Sequence, residues 1–237
     1  MVVETTSGLS FVGASSHGGQ IPDQTYLDAY AVSGFCVEFF GSFLIANVND
    51  YKNIISKADS DTDGWQIRFY DGASTPNRFL VFKLNGTQII NYSLDNIKSG
   101  AHMAFAYDGT TMRYFIDGIE KDSTAFSSST DTTVPVSIGS PNGIITLYNT
   151  MRIDEVRISS TARYTANFTP GSAQFASDGS TVGLYQMNTG SLNDASANAN
   201  NGTTNATWAA GYALSGFPAV VVVFSPVMQT TKFWGPI

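Results

Sequence analysis

The stretch HMAFAYDGTTMRYFIDGIEK, residues 102–121, decides the fold class. Two apolar runs, residues 102–107 and 112–116, are each followed closely by an Asp-Gly pair, and a third segment begins at residue 119. Asp-Gly is typical of the tight turns between antiparallel strands, because those turns need positive φ values. The stretch therefore predicts a meander of three antiparallel strands.

The same period of two recurs along much of the chain. In WQIRFY, residues 65–70, the odd positions are apolar, whereas Gln66 and Arg68 occupy the other face. This pattern indicates a strand with one side on a core. Further strands are predicted at residues 9–12, 35–40, 53–57, 79–84, 87–92, 134–138, 152–158, 182–187 and 220–224. So many short strands predict an all-β fold, a two-sheet antiparallel β-sandwich.

Charge and hydropathy exclude several classes of protein. The 237 residues include 12 Lys and Arg against 19 Asp and Glu, a net charge of -7, which argues against nucleic-acid partners and anionic membrane surfaces. The most apolar run, residues 219–224, is far shorter than the roughly 20 residues of a membrane span, so no membrane insertion is expected. The start of the chain lacks the pattern of a signal peptide. Cys36, among apolar neighbours, is expected to be buried.

Several segments follow one another in the order found in the concanavalin A-like, laminin-G-like jelly-roll domains, which the chain resembles. They are residues 35–40, 53–57 followed by 64–67, 104–109, 113–118, 136–139 and 153–158. The next segment, ARYTANFTP at residues 162–170, is similar to an extension of laminin-G-like modules in tailed-bacteriophage virion proteins. The resemblance implies a jelly-roll sandwich on the surface of a phage particle, made in the host cytoplasm.

Two later segments, residues 181–185 and 193–198, resemble the opening of such a module, which normally precedes the strand at residues 9–12. Either the C-terminal part closes this sandwich, or it begins an incomplete second module. We expect one domain over residues 1–216, with its core at 9–158 and a closing segment at 181–216, followed by a tail at 217–237.

The tail is expected to contact another subunit. Its apolar residues include Val221, Val223, Phe224, Phe233 and Trp234. An exposed apolar strand tends to pair with the edge of another chain. The expected partners are therefore further copies of the chain, in a homo-oligomer, or other capsid or tail proteins of the virion.

Catalytic patterns are weak. Many jelly-roll relatives hydrolyse glycans with a Glu-x-Asp-x-(x)-Glu strand, a spacing that this sequence lacks. Asp154 and Glu155 are adjacent, so on a regular strand they would point to opposite faces. The two histidines, His17 and His102, accompany no Gly-x-Ser-x-Gly motif. We therefore expect no enzymatic activity and no required cofactor.

One segment matches half of a calcium loop. In DSDTDG, residues 59–64, Asp59, Asp61 and Asp63 alternate before a glycine, but Tyr70 replaces the final glutamate. The segment is either a polar turn or a Ca²⁺ site. A second candidate, implied by the resemblance, is Asp194 with Asn198 and Asn200.

Sugar binding would need exposed aromatic faces beside hydrogen-bonding side chains. Four aromatic residues are candidates for such contacts: Tyr70, Tyr148, Tyr164 and Trp208. The sequence thus predicts a non-enzymatic virion accessory protein, of decoration, collar or fibre type, that binds glycans or the host surface. The alternatives are a cementing protein of the capsid or tail without a glycan ligand, and a glycan depolymerase that uses dispersed carboxylates.

Overall fold

The computed structural model describes residues 8–11, 18–28, 34–44, 50–58, 62–71, 78–93, 101–127, 132–139, 150–188, 190–204 and 207–209. Within these ranges one turn of 3-10 helix, Thr25–Leu27, accompanies fifteen strands. The strands are β1 Gly8–Phe11, β2 Gly19–Ile21, β3 Phe35–Leu44, β4 Asp50–Lys57, β5 Trp65–Asp71, β6 Arg78–Leu84, β7 Thr87–Ser93, β8 Ala101–Tyr107, β9 Thr111–Ile116, β10 Ile119–Ala125, β11 Val136–Ile138, β12 Thr150–Ser159, β13 Thr181–Tyr185, β14 Thr203–Thr204 and β15 Thr207–Ala209. None of the described residues form a helix with the length and hydropathy of a membrane span.

The strands form two antiparallel sheets, which confirms the predicted β-sandwich. The first sheet has the order β10-β9-β8-β3-β12-β1-β15, and β13 also pairs with β12. The second sheet has the order β14-β2-β11-β4-β5-β6-β7. The predicted meander is confirmed as β8-β9-β10, and its second turn has φ values of 50° at Asp117 and 76° at Gly118. Both values are positive, as a two-residue hairpin turn of type I′ requires.

The core lies between the two sheets and is rich in aromatic residues. Trp65, Ile67 and Phe69 of β5 are buried in it, as the alternation in the sequence predicts. Phe35 of β3 packs against Trp65 across the sandwich, with 5.1 Å between ring centroids. Burying each large apolar side chain stabilises the fold by about 1.5 to 3 kcal/mol.

A long connection covers the outer face of the first sheet. Residues 160–180 join β12 to β13, and we call this segment the strap. Its residues Ala162, Tyr164 and Phe168 pack on a buried cluster of Cys36, Ala104, Ala106 and Phe115. Cys36 is buried, as expected, and burial raises the pKa of its thiol. The chain itself therefore occupies this part of the outer face of the first sheet.

The C-terminal segment adds strands to both sheets. β13 pairs with β12, β15 with β1, and β14 with β2 of the second sheet. Asp194 holds the connection together, because its carboxylate accepts hydrogen bonds from the backbone N–H groups of Leu184, Ser196 and Asn200 at 2.8–2.9 Å. The predicted strand at 220–224 and the tail at 217–237 lie outside the described residues.

Candidate functional site

The outer face of the second sheet carries a line of polar residues. Each strand of this sheet contributes one residue to the line, because the pairing registers match them successively. We call this line the polar row: Thr203, Gln20, Ser137, Ser56, Gln66, Lys83 and Gln88. The row faces away from the core, since its neighbours along the strands, such as Val136, Ile138 and Ile67, belong to the core.

A second polar pair lies beside the row. Asn53 of β4 pairs with Arg68 of β5, which lies two residues beyond Gln66 along the same strand. The ends of the row are exposed at Thr203, Gln20 and Gln88, whereas its centre is buried. The exposed fractions are 1% at Ser137, 2% at Ser56, 0% at Asn53 and 4% at Arg68.

The centre of the row holds buried polar atoms that the protein does not satisfy. Asn53 Nδ2 and Oδ1, Ser56 Oγ and Ser137 Oγ have no hydrogen-bond partner among the residues that the structure describes. A buried polar group left without a partner costs about 1 to 3 kcal/mol. Such groups are uncommon in folded proteins, and each one calls for an explanation, of which a bound water or ion is an ordinary one. Three of them together on one face identify this centre as the candidate site.

A buried carboxylate, Glu38, organises the opposite side of the sandwich. Its oxygens accept hydrogen bonds from Arg157 Nε at 2.8 Å and Tyr164 Oη at 2.8 Å, and His102 Nε2 lies 3.0 Å away. Burial alone would raise the pKa of this carboxyl, but the His102 contact and the Arg157 charge together lower it below its ordinary value. These contacts connect β3, β8 and β12 to the strap, so His102 and Arg157 serve the fold.

Asp154 and Glu155 lie in a β-bulge, which corrects the expectation of opposite faces. The register between β12 and β3 shifts between Ile153 and Val156, both of which belong to the core. Two residues therefore oppose the single residue Phe40 of β3, and regular alternation is lost. Burial raises the pKa of each carboxyl to about 7, with the Glu155 charge adding to the effect on Asp154. Glu155 Oε2 accepts a hydrogen bond from Phe175 N of the strap at 2.8 Å.

The expected calcium loop is described only in part. Asp63 lies in a bend between β4 and β5, and Asp59 and Asp61 lie outside the described residues. Within the described ranges, no three His, Cys, Asp or Glu side chains are grouped so as to hold a metal ion. In the second candidate, the amides of Asn198 and Asn200 donate to the carbonyl oxygens of Val182 and Pro22, both at 2.9 Å. These amide contacts are those of a hydrogen-bonded turn, and Ca²⁺ binding at either place stays a prediction.

The four predicted aromatic ligand residues do not come together in one place. Tyr164 lies in the strap, stacked on Phe168 with 3.6 Å between ring centroids. Tyr70 pairs with Tyr51 in the second sheet, two residues beyond Arg68, whereas Trp208 pairs with Leu9 in the first. Tyr148 lies outside the described residues, as do the five predicted partner contacts, Val221, Val223, Phe224, Phe233 and Trp234. Sugar contacts at these aromatic residues stay a prediction.

Sequence reasoning missed the polar row, because the row exists only once seven separate strands are in register. The one available signal was the polar face of β5, at Gln66 and Arg68. Ser56, Ser137 and Asn53 carry no pattern of their own, since isolated Ser and Asn residues in strand segments are ordinary.

Comparison with known proteins agrees with this architecture. A model of the concanavalin A-like lectin/glucanases superfamily matches residues 13–167. A proposed carbohydrate binding protein from Bacteroides ovatus ATCC 8483 has a similar structure, with a TM-score of 0.65 and 19% identity over 89% of this chain. This chain covers 61% of that protein.

The binding domain of Paraclostridial Mosquitocidal Protein 1 is also similar, with a TM-score of 0.53 and 16% identity over 66% of this chain and 41% of that one. At these identities the two structures show the fold alone. No curated protein is significantly similar in sequence. The family match covers more than half of the chain, in agreement with the two-sheet topology, and the chain therefore belongs to the concanavalin A-like lectin/glucanases superfamily.

Proposed function

We propose that the chain is a non-enzymatic module that binds glycans through the polar row. The observation that carries this proposal is the group of buried polar atoms on Asn53, Ser56 and Ser137 that have no hydrogen-bond partner among the described residues. A sugar presents many hydroxyl groups, each of which donates and accepts hydrogen bonds. Serine hydroxyls and an asparagine amide complement such a ligand, because they too both donate and accept. The row crosses all seven strands of the sheet, and it is exposed at its ends, at Thr203, Gln20 and Gln88.

The composition of the site favours binding over hydrolysis. Glycoside hydrolysis generally uses two carboxyl groups, one on each side of the scissile bond. The nine described residues of the row and the adjacent pair include no Asp or Glu. Asp154 and Glu155 have raised pKa values, but they belong to the first sheet and Glu155 is bonded to the strap. Their pKa values are therefore explained by burial in the fold.

The same proposal includes the setting of the module. The strap sequence ARYTANFTP supports a place on a tailed-phage particle, because it is similar to an extension of modules in phage virion proteins. The module would then be an accessory protein of decoration, collar or fibre type on the virion surface. It would assemble as a homo-oligomer or on other virion proteins and contact host-surface glycans.

The test is a binding screen of the purified chain against a broad glycan panel. We expect saturable binding that Ser56→Ala and Ser137→Ala each weaken, because each substitution removes a hydroxyl that the glycan would complete. Ser123→Ala is the matched control, since Ser123 is an exposed serine of β10 in the first sheet. Repeating the screen with calcium and with a chelator tests residues 59–63. A chain that binds no glycan would contradict the proposal and favour the cementing role.

A further inference from the structure

A lysine side chain lies fully buried between two carboxyl groups at the end of β4. Lys57 is the last residue of that strand, and its side chain is 0% exposed. Its Nζ atom lies 2.8 Å from Asp28 Oδ1 and 2.8 Å from Asp23 Oδ1. The Asp28 side chain is also 0% exposed, whereas that of Asp23 reaches solvent. Taking two charges out of water can cost more than their attraction returns, so stability alone does not explain the pair of Lys57 with Asp28.

We propose that Lys57 and Asp28 condense to an isopeptide bond, an amide between the lysine Nζ and the aspartate Cγ that the folded chain forms by itself. The product is a neutral amide, so the condensation removes both buried charges. The bond links the end of β4 to the residue that follows the turn of 3-10 helix, 29 positions earlier in the chain. None of these residues belongs to the polar row, so the inference is independent of glycan binding.

The reacting forms are an amine and a carboxylic acid, which together carry the same number of protons as the ion pair. Lys57 Nζ donates a hydrogen bond to Asp28 Oδ1, and one proton moved along this bond converts the charged pair into the neutral one. Burial favours the neutral pair, because it disfavours charged forms. Burial raises the pKa of Asp28, although the hydrogen bond and the charge of Lys57 act in the opposite direction.

Apolar residues flank both partners. Trp65 pairs with Lys57 across the sheet, and Leu27 precedes Asp28 in the chain. Both are 0% exposed, and Trp65 Nε1 donates a hydrogen bond to the carbonyl oxygen of Leu27 at 2.9 Å. These contacts hold the lysine and the aspartate together in a place from which water is largely excluded. Fixed geometry of this kind turns a slow bimolecular condensation into an intramolecular one.

The condensation forms one C–N bond and breaks one C–O bond. Nζ attacks Asp28 Cγ, the atom that bears Oδ1. Asp23 accepts the proton that the nitrogen loses and delivers it to the departing oxygen, which leaves as water. Thr132 N–H donates to Asp28 Oδ1 at 3.4 Å, which suits Oδ1 as the oxygen that stays. Asp28 Oδ2, which has no hydrogen-bond partner among the described residues, is the oxygen that leaves.

The intact mass of the purified chain tests the inference directly. We expect the wild type to be lighter than the mass of its sequence by one water molecule. A protease digest should then contain a branched peptide in which Lys57 is joined to Asp28. A succinimide at an Asp-Gly pair also loses one water, so the branched peptide rather than the mass alone identifies the bond.

Variants assign the roles of the three side chains. Lys57→Arg keeps the positive charge but removes the amine, so this variant should have the full mass of its sequence. Asp23→Asn removes the carboxylate that carries the proton. The cross-linked fraction soon after synthesis should therefore fall at least about tenfold, because acid–base catalysis contributes about 10² to 10⁴ in rate. Lys121→Arg is the matched control, since Lys121 is an exposed lysine of β10.

Loss of one water in the wild type and in Lys121→Arg, but not in Lys57→Arg, would support the inference. A wild-type chain with the full mass of its sequence would overturn it and leave the cluster as a buried ion pair. A loss of water that maps to other residues would overturn it as well. The wild-type mass needs no variant, so a folding defect in Lys57→Arg does not affect the test. An equal cross-linked fraction in Asp23→Asn would overturn the role of Asp23.

Discussion

Replacing Glu38 by glutamine is expected to loosen the strap from the first sheet. The wild-type carboxylate is buried, and it contacts Arg157, Tyr164 and His102 at 2.7–3.0 Å. Glutamine keeps the shape of the side chain but removes its negative charge. Arg157 and Arg163, whose Nε lies 3.6 Å from Glu38 Oε1, then lose their shared anion. Breaking a buried ion pair by removing one partner costs about 3 to 5 kcal/mol. We expect the free energy of unfolding to fall by that amount.

Two measurements report the effect of Glu38→Gln. Urea unfolding gives the change in the free energy of unfolding. Thiol labelling under native conditions reports the strap itself, because Cys36 is the single cysteine of the chain and lies buried beneath Ala162, Tyr164 and Phe168. We expect Glu38→Gln to speed the labelling of Cys36 at urea concentrations where the wild type stays folded.

The matched control is Glu120→Gln. Glu120 is part-exposed and lies 3.9 Å from Arg113, a pair of the kind that contributes at most about 1 kcal/mol. The reasoning would be refuted if Glu38→Gln and Glu120→Gln had the same unfolding midpoint and the same rate of thiol labelling. The Glu38 cluster would then contribute no more than an exposed ion pair.

Three further predictions concern stability. In urea unfolding, Gly118→Ala should destabilise the fold by more than about 1 kcal/mol, because Gly118 has a φ of +76° and an added Cβ would clash with the carbonyl oxygen of Phe168. Gly179→Ala is the control and should be nearly neutral, because an added Cβ there would have nothing within 4 Å. Burial raises the pKa of Asp154 and of Glu155 to about 7, so the free energy of unfolding should fall as pH rises from about 4 to about 7 and should level off above that. Asp154→Asn should flatten that slope in thermal unfolding. Ser137→Ala should leave the stability of the unliganded chain unchanged or raise it by up to about 1 kcal/mol, because it removes a buried hydroxyl that has no partner among the described residues. A clear loss of stability would show that this hydroxyl is bonded.

The strands were largely predictable from the sequence, because alternation and turn residues are local signals. The segment 65–70, for example, became β5, Trp65–Asp71, with its odd positions in the core. The short strands β2, β14 and β15 were not predicted. Each has at most three residues, too few to show a period of two, and each forms only because a neighbouring strand offers a free edge.

The site was much less predictable than the fold. Polar residues in strands were visible in the sequence, but which of them share a line depends on the register between strands that are distant along the chain. Ser56 and Ser137 are 81 positions apart and pair directly. The adjacency of Asp154 and Glu155 likewise indicated opposite faces, and only the bulge against Phe40 changed that conclusion.

The most direct test of the glycan site is a titration of the isotopically labelled chain, followed by NMR, with the glycan that binds best in the panel. The account predicts that the largest chemical-shift changes occur at the backbone amides of four residues at the centre of the polar row: Ser56, Gln66, Lys83 and Ser137. Chemical-shift changes confined to the strap, or to residues of the first sheet, would contradict it.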